Sequence, residues 1–253
     1  MCNILLKLQC NFCYKPILFF SYFIFIYLIP SFAQPLTSDS TLLQKSIDNV
    51  QESYNKKISS NLLIYNGNEY HQDKYATIGY PFFLSDTPML GAVMYKNVWY
   101  KNMQLQFDIT NNSLIIKDEY QNNGLVVQSN FVPYFIIANH RFEYITPSND
   151  DIVTTGYYER ITGSTTALFV KRTKKFKQAL KAEDNTTKFV LTNEYFLVTN
   201  NKFYSIDNKK TLMNFLADKK ELLQKYIEEN NVSFKNDIES AFEKTISYYN
   251  QLN

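Results

Sequence analysis

Between residues 61 and 206 the chain alternates apolar and polar positions with a period of two. In the clearest stretch Met103, Leu105, Phe107 and Ile109 fall on one side, and Gln104, Gln106 and Asp108 on the other. Successive side chains of a strand point to opposite faces, so this stretch predicts a strand with one buried and one wet face. The alternating stretches are separated by Lys96-Asn97, Asn111-Asn112, Asn122-Asn123-Gly124, Asn139-His140, Thr162-Gly163 and Asn200-Asn201. Asn and Gly tolerate the positive φ that tight hairpins require, so the punctuation predicts an antiparallel meander of roughly eight to eleven strands.

On both sides of this block the period becomes helical. Leu43, Ile47, Val50 and Tyr54 recur at spacings of three and four, which predicts an amphipathic helix capped by Ser38 or Asp39. Beyond Asp207, Leu212, Phe215 and Leu216 mark a short helix. Asp218 with Glu221 reads as the capping box of a second helix, whose apolar face holds Leu222, Leu223, Tyr226 and Ile227. Asn230-Asn231 end it, and Ser233 is expected to cap a last helix carrying Ile238, Ala241, Phe242, Ile246 and Tyr249. Strands in one block and helices in others predict an α+β architecture: an antiparallel β-meander, barrel-like or sandwich, with an N-terminal helix and two to three C-terminal helices packed on the sheet. The expected division is 34–60 helical, 61–206 sheet and 207–253 helical.

Residues 1–33 read differently. Lys7 and Lys15 precede an apolar run from Ile17 to Ile29, followed by Pro30-Ser31-Phe32-Ala33-Gln34. This is the pattern of a secretory signal peptide cleaved after Ala33. The run is short of the roughly 20 residues that cross a bilayer, and Pro30 ends it. Cys2, Cys10 and Cys13 all precede the run, out of position for lipidation, and leave with it. The mature chain is therefore expected to be periplasmic or secreted, without lipid, membrane span, disulfide or thiol nucleophile. Removing Lys7 and Lys15 from 26 basic residues leaves 24 against 24 acidic ones. A neutral chain gives no reason to expect nucleic acid as a partner.

Tyr65-Asn66-Gly67-Asn68-Glu69-Tyr70, Gly79-Tyr80-Pro81-Phe82-Phe83, Gly91 with Val93 and Tyr95, Asn102 leading to Leu105, Phe107 and Asp108, and the tail Asp218 to Leu222, Phe234 to Asp237 and Tyr248-Tyr249 resemble a family of uncharacterised secreted β-rich proteins of Gram-negative bacteria. The resemblance implies export and a β-rich fold; it carries no activity, cofactor or site residue. Asn97 stands where that family usually has Gly in the first hairpin turn, a conservative change at a positive-φ position.

The catalytic signals are sparse. The two histidines, His71 and His140, with no HExxH, give no zinc pattern. Gly163-Ser164-Thr165-Thr166-Ala167 lacks the second Gly of a nucleophile elbow, and no Gly-rich phosphate loop occurs among six glycines. His71 with Glu69 and Asp73 forms one candidate acid/base group, set against plain solvation near a turn; His140 is expected on a turn. No metal site or cofactor is expected.

Lys171, Arg172, Lys174, Lys175 and Lys177 form a concentrated basic run. It reads either as a patch for an anionic glycan, lipid headgroup or acidic protein, or as protection of an exposed strand edge. Aromatics crowd Tyr80, Phe82, Phe83, Tyr95, Trp99, Tyr100 and Phe107, as either sheet core or a ligand-stacking surface. Because side chains alternate along a strand, one of Trp99 and Tyr100 is expected to face outward as a contact. The leading expectation is an exported, non-enzymatic envelope protein that binds a ligand or protein partner. The alternatives are a hydrolase with a spatially assembled carboxylate/His site, and a structural assembly component.

Overall fold

The computed structural model describes residues 43–47, 49–50, 63–71, 77–117, 124–148, 152–178 and 187–252. The predicted signal peptide, the caps Ser38 and Asp39, and Asp73 lie outside them. The chain divides into two compact units, Met1–Tyr54 and Asn55–Asn253. In the first, residues 43–47 and 49–50 are helical, on the predicted amphipathic stretch.

The second unit is an α+β fold dominated by one antiparallel sheet. Its strands are β1 (Asn68–Glu69), β2 (Thr77–Ile78), β3 (Met89–Tyr95), β4 (Val98–Asp108), β5 (Ser113–Lys117), β6 (Leu125–Val126), β7 (Tyr134–Ile137), β8 (His140–Ile145), β9 (Gly156–Gly163), β10 (Thr166–Gln178), β11 (Thr187–Thr199) and β12 (Lys202–Ile206). Eleven run in the order β1-β6-β5-β4-β3-β7-β8-β9-β10-β11-β12, and β2 adds a short parallel pairing to β11. The meander steps outward from β3 to β6, then resumes on the other side of β3 at β7 and continues to β12. The sheet does not close into a barrel: β10 touches the end of β4 through one backbone bond, Lys174 N–H to the Ile109 carbonyl at 3.3 Å.

The turns at Lys96-Asn97, Asn111-Asn112 and Asn200-Asn201 form as expected, while Asn122 and Asn123 lie outside the described residues. Lys96 and Asn97 have φ of 49° and 64°, Asn112 55°, and Asn200 and Asn201 50° and 59°, so the hairpins use the left-handed region that Asn tolerates. One turn shifts by a residue: Ala138 and Asn139 carry the positive φ values, and His140 becomes the first residue of β8.

The main core lines β3, β4, β5, β7, β8 and β9. At its centre Phe107, Phe135, Phe142 and Tyr157 are buried with ring centroids 4.8–5.7 Å apart. Each such ring stabilises by about 1.5–3 kcal/mol through burial, with more from edge-to-face pairing. A second core joins Leu168, Val170 and Leu197 to α1 (Lys209–Phe215), α2 (Lys220–Glu229) and α3 (Ile238–Gln251), through Leu212, Leu223, Ile227, Phe242 and Ile246. A small third cluster, Val153, Tyr158, Ala167, Phe169 and Phe196, lies on the opposite face of the last strands.

Three local expectations are corrected. Gln106 and Asp108, expected on a wet face, are buried. Residues 81–83 lie against the end of β4, with Phe83 N–H bonded to the Phe107 carbonyl. Gln106 Nε2 therefore donates to the Asp86 carbonyl. Asp108 accepts from the Tyr70 hydroxyl and from the Thr110 and Asn111 amides, which satisfies the buried carboxylate. The Asp218/Glu221 capping box does not form, because a 3-10 turn at Ala217–Lys219 precedes α2 and Asp218 accepts from the Tyr249 hydroxyl instead. The box occurs at α1, between Asn208 and Thr211. Asp237, not Ser233, caps α3; Ser233 Oγ accepts from Asn236 N–H in the preceding turn.

Candidate functional site

The basic run does not form a uniform cationic face. Along β10 successive side chains alternate between environments, and the strand separates the charges. Lys171 is 8% exposed, its Nζ 4.4 Å from the Tyr158 ring centroid. Burial pushes its pKa down to about 8, opposed by the cross-strand Glu194. Arg172 is enclosed by two carboxylates. Lys174 Nζ donates to the carbonyls of Tyr80 and Phe82 at 3.0 and 2.5 Å and stands over the Tyr80 ring; burial lowers its pKa. Lys175 and Lys177 are the exposed remainder. β11 pairs with the whole length of β10, but β9 pairs with Ala167–Val170 alone, so beyond Val170 that side of β10 is an edge whose backbone meets the Ile109 carbonyl through Lys174 N–H.

The aromatic stretch divides cleanly. Tyr95, Tyr100 and Phe107 are buried in the main core, with Phe82 and Phe83 also buried. Trp99 is the partly exposed member of the Trp99/Tyr100 pair. Cross-strand pairing sets Trp99 opposite Met94, Met94 opposite Tyr134, and Tyr134 opposite Glu143. All four share the outer face of the sheet. The Trp99 and Tyr134 rings meet edge-to-face at 5.2 Å, and the Arg141 guanidinium lies 4.4 Å from the Tyr134 centroid. Glu143 holds Arg141 at 2.7 Å and Arg160 at 3.4 Å. Leu90, 62% exposed, and Val98 sit on the same strands.

Of the acid/base candidates, His71 is 77% exposed at its side chain and 3.8 Å from Glu69, in open solvent. The enclosed histidine is His140, which sequence reading placed on a turn. Its Nδ1 meets Glu159 Oε1, and its ring packs edge-on against Phe83. Glu159, 2% exposed, accepts through Oε2 from Arg172 Nε at 2.6 Å. Arg172 Nη1 and Nη2 then grip both oxygens of Glu239 at 2.6 and 2.7 Å. This chain of four polar side chains crosses β8, β9, β10 and α3, and runs between the main core at Tyr157 and the helical core at Val170.

At its far end Glu239, Asn193, Tyr195, Asp237 and Glu243 line an open cavity of about 520 Å³; burial raises the Tyr195 hydroxyl pKa. Both oxygens of Glu159 and of Glu239 are occupied by partners, so the chain holds the helices to the sheet and offers no free carboxylate for proton transfer. Glu159 could have been singled out from Gly156-Tyr157-Tyr158-Glu159-Arg160-Ile161. It shares a face with Tyr157 and Ile161, and a carboxylate facing inward needs a cation. Its partners, Arg172 and Glu239, are remote in sequence and leave no local signal. Among the described residues no group of three or more His, Cys, Asp or Glu side chains is arranged to hold a metal ion, and no helix is long and apolar enough to cross a membrane.

Comparison with known proteins finds no matching family model, no matching curated protein and no matching solved structure.

Proposed function

We propose that this chain is an exported, non-enzymatic binding module whose partner is a protein, engaged through the outer face of β3, β4, β7 and β8 around Trp99. The observation that carries this reading is the partly exposed Trp99–Tyr134–Arg141 stack with Met94 between Trp99 and Tyr134 and exposed Leu90 farther along the same face of β3. Trp, Tyr, Arg and Met are the residue types enriched where proteins bind one another, with Trp, Tyr and Arg carrying most of the energy. A protein fits better than a glycan. Trp99 and Tyr134 meet at 67°, so they make no flat platform for sugar rings, and Arg141 already covers the Tyr134 face. A lipid held inside the sheet fits poorly, since the inner face is filled by Phe107, Phe135, Phe142 and Tyr157.

Export rests on the pattern of residues 1–33, and the intact mass of the protein recovered from producing cells tests it: a chain beginning at Gln34 is expected, and a chain retaining residues 1–33 would refute it. The binding face is tested by affinity purification of three forms from those cells. The native chain and Leu191→Ala, altered at an exposed residue on β11, should recover the same partner protein, and Trp99→Ala should lose it. Equal recovery by Trp99→Ala, or no partner with any form, would overturn the assignment.

A further inference from the structure

The asparagines of this chain include three that are followed two residues later by Ser or Thr: Asn111-Asn112-Ser113, Asn185-Thr186-Thr187 and Asn231-Val232-Ser233. In an exported protein that spacing marks an acceptor for an N-linked glycan where it falls on an exposed loop. Asn185 and Thr186 lie outside the described residues, and the other two copies differ sharply. At the first, both polar groups are committed. Asn111 Nδ2 donates to Asp108 Oδ2 at 3.1 Å, the Asn111 backbone N–H donates to the other oxygen of that buried carboxylate, and the Ser113 hydroxyl donates to the Asn111 carbonyl at 3.3 Å as β5 begins.

Asn231 stands in the opposite situation. α2 ends at Glu229, and Asn231 takes the left-handed conformation, φ 51°, with which helices commonly stop. Val232 packs half-buried against the helical core, and its N–H donates to the Ile227 carbonyl at 3.0 Å, so the turn is anchored from beneath. Asn231 and Ser233, on either side of that anchor, are both exposed. Among the described residues the Asn231 side-chain amide has no hydrogen-bond partner. Ser233 Oγ accepts from the Asn236 N–H at 3.3 Å, which leaves its own O–H available as a donor.

We propose that Asn231 is the acceptor of an N-linked glycan, transferred during export from a polyprenyl-pyrophosphate-linked oligosaccharide. The inference rests on the export reading, because the transfer takes place in the compartment that receives exported chains. Asn231 Nδ2 bonds to the anomeric carbon of the first sugar. The bond from that carbon to the pyrophosphate oxygen breaks, its electron pair leaves on the phosphate, and one Nδ2 proton passes to a base of the transferring enzyme. No oxidant or reductant is consumed. The Ser233 hydroxyl gives the enzyme a handle that holds the amide at the reacting carbon, a positioning role. Glu229, two residues before Asn231, has a side chain 63% exposed and only loosely paired with Lys225 at 3.8 Å, so a basic group of the enzyme can take it. Ile109 stands at the corresponding place before Asn111.

The full chain is recovered from its producing cells, its intact mass fixes the N-terminus, and its tryptic peptides are mapped by mass spectrometry. Peptide 226–235 should carry a glycan on Asn231, and peptide 102–117, which holds Asn111, should carry none. Ser233→Ala should lose the glycan and Ser233→Thr should keep it, both without loss of fold, since the residue is exposed. A bare peptide 226–235 from a chain that begins at Gln34 would overturn the proposal and leave export standing, whereas a bare peptide from a chain that retains residues 1–33 would overturn both. An equal glycan on peptide 102–117, or one on Asn231 that survives Ser233→Ala, would also overturn it.

Discussion

Replacing Arg172 with Met removes the centre of the polar chain and keeps most of the side chain's volume. Three short charge-assisted bonds disappear, one to Glu159 and two to Glu239. The consequence is uneven. Glu239 keeps 27% of its side chain in solvent, whereas Glu159 keeps 2%. Glu159 is thus left as a buried carboxylate with His140 as its one remaining partner. Leaving a buried charge without its main partner costs about 3–5 kcal/mol. Contact with His140 offsets part of that, so the expected loss is about 3 kcal/mol. With a urea slope of about 2 kcal/mol/M the unfolding midpoint should fall by roughly 1.5 M. Arg172→Met/Glu159→Leu removes the stranded charge as well, and should recover at least about 1 kcal/mol relative to Arg172→Met. Urea unfolding followed by circular dichroism measures both. A single variant costing under about 1 kcal/mol, or a double variant less stable than the single, would refute the view that a buried Glu159 depends on Arg172.

Further outcomes follow from other parts of the sheet. Phe142→Ala should cost about 3–5 kcal/mol in chemical unfolding, because the ring is fully enclosed by Phe83, Phe107 and Phe135. Gly91→Ala should destabilise by at least about 1–3 kcal/mol in the same assay, since its β-carbon would collide with the Ile136 carbonyl and lie 2.5 Å from Leu105 Cδ1. The folded pKa of Lys171, about 8, lies below its ordinary 10.5, so the unfolded chain binds the proton more tightly between those values. Stability should therefore rise with pH from about 8, and Lys171→Met should flatten that rise. Above about pH 10 stability should fall, as Tyr95, Tyr100, Tyr157 and Tyr195, whose hydroxyls burial pushes up, ionise more readily in the unfolded chain; thermal melts across pH 7–11 read both effects.

The fold was legible where local rules act alone. Alternation of Met103, Leu105, Phe107 and Ile109 marked a buried face, and Asn97, Asn112, Asn200 and Asn201 marked hairpins, because one residue's φ preference decides a turn. The same stretch misled at Gln106 and Asp108, since alternation says which side a residue takes and not whether residues 81–83 will cover it. The helical tail was legible by apolar spacing, but its caps were not. Asp218 and Ser233 matched the cap pattern, yet Asp237 and the Asn208–Thr211 pair bond the free amides. The charge run from Lys171 to Lys177 showed composition without environment. A two-residue period placed Lys171 against Tyr158 and Arg172 between Glu159 and Glu239, and that separation depends on what packs against each face. His140 joined the polar chain through a one-residue shift of its turn. Alternation showed in advance that one of Trp99 and Tyr100 faces outward but not which; Tyr134 and Arg141 joined Trp99 only through the pairing of β3 with β7 and of β7 with β8.

The central claim is that the outer face around Trp99 meets a protein partner. Its most direct test places a photo-activatable amino acid at position 99, and separately at position 191 on β11, in the full-length chain expressed in producing cells. Irradiation should yield one discrete protein adduct from position 99, suppressed by Tyr134→Ala in the same chain, and none of that size from position 191. Adducts identical from both positions, or no protein adduct from position 99 while the chain is folded and exported, would contradict it.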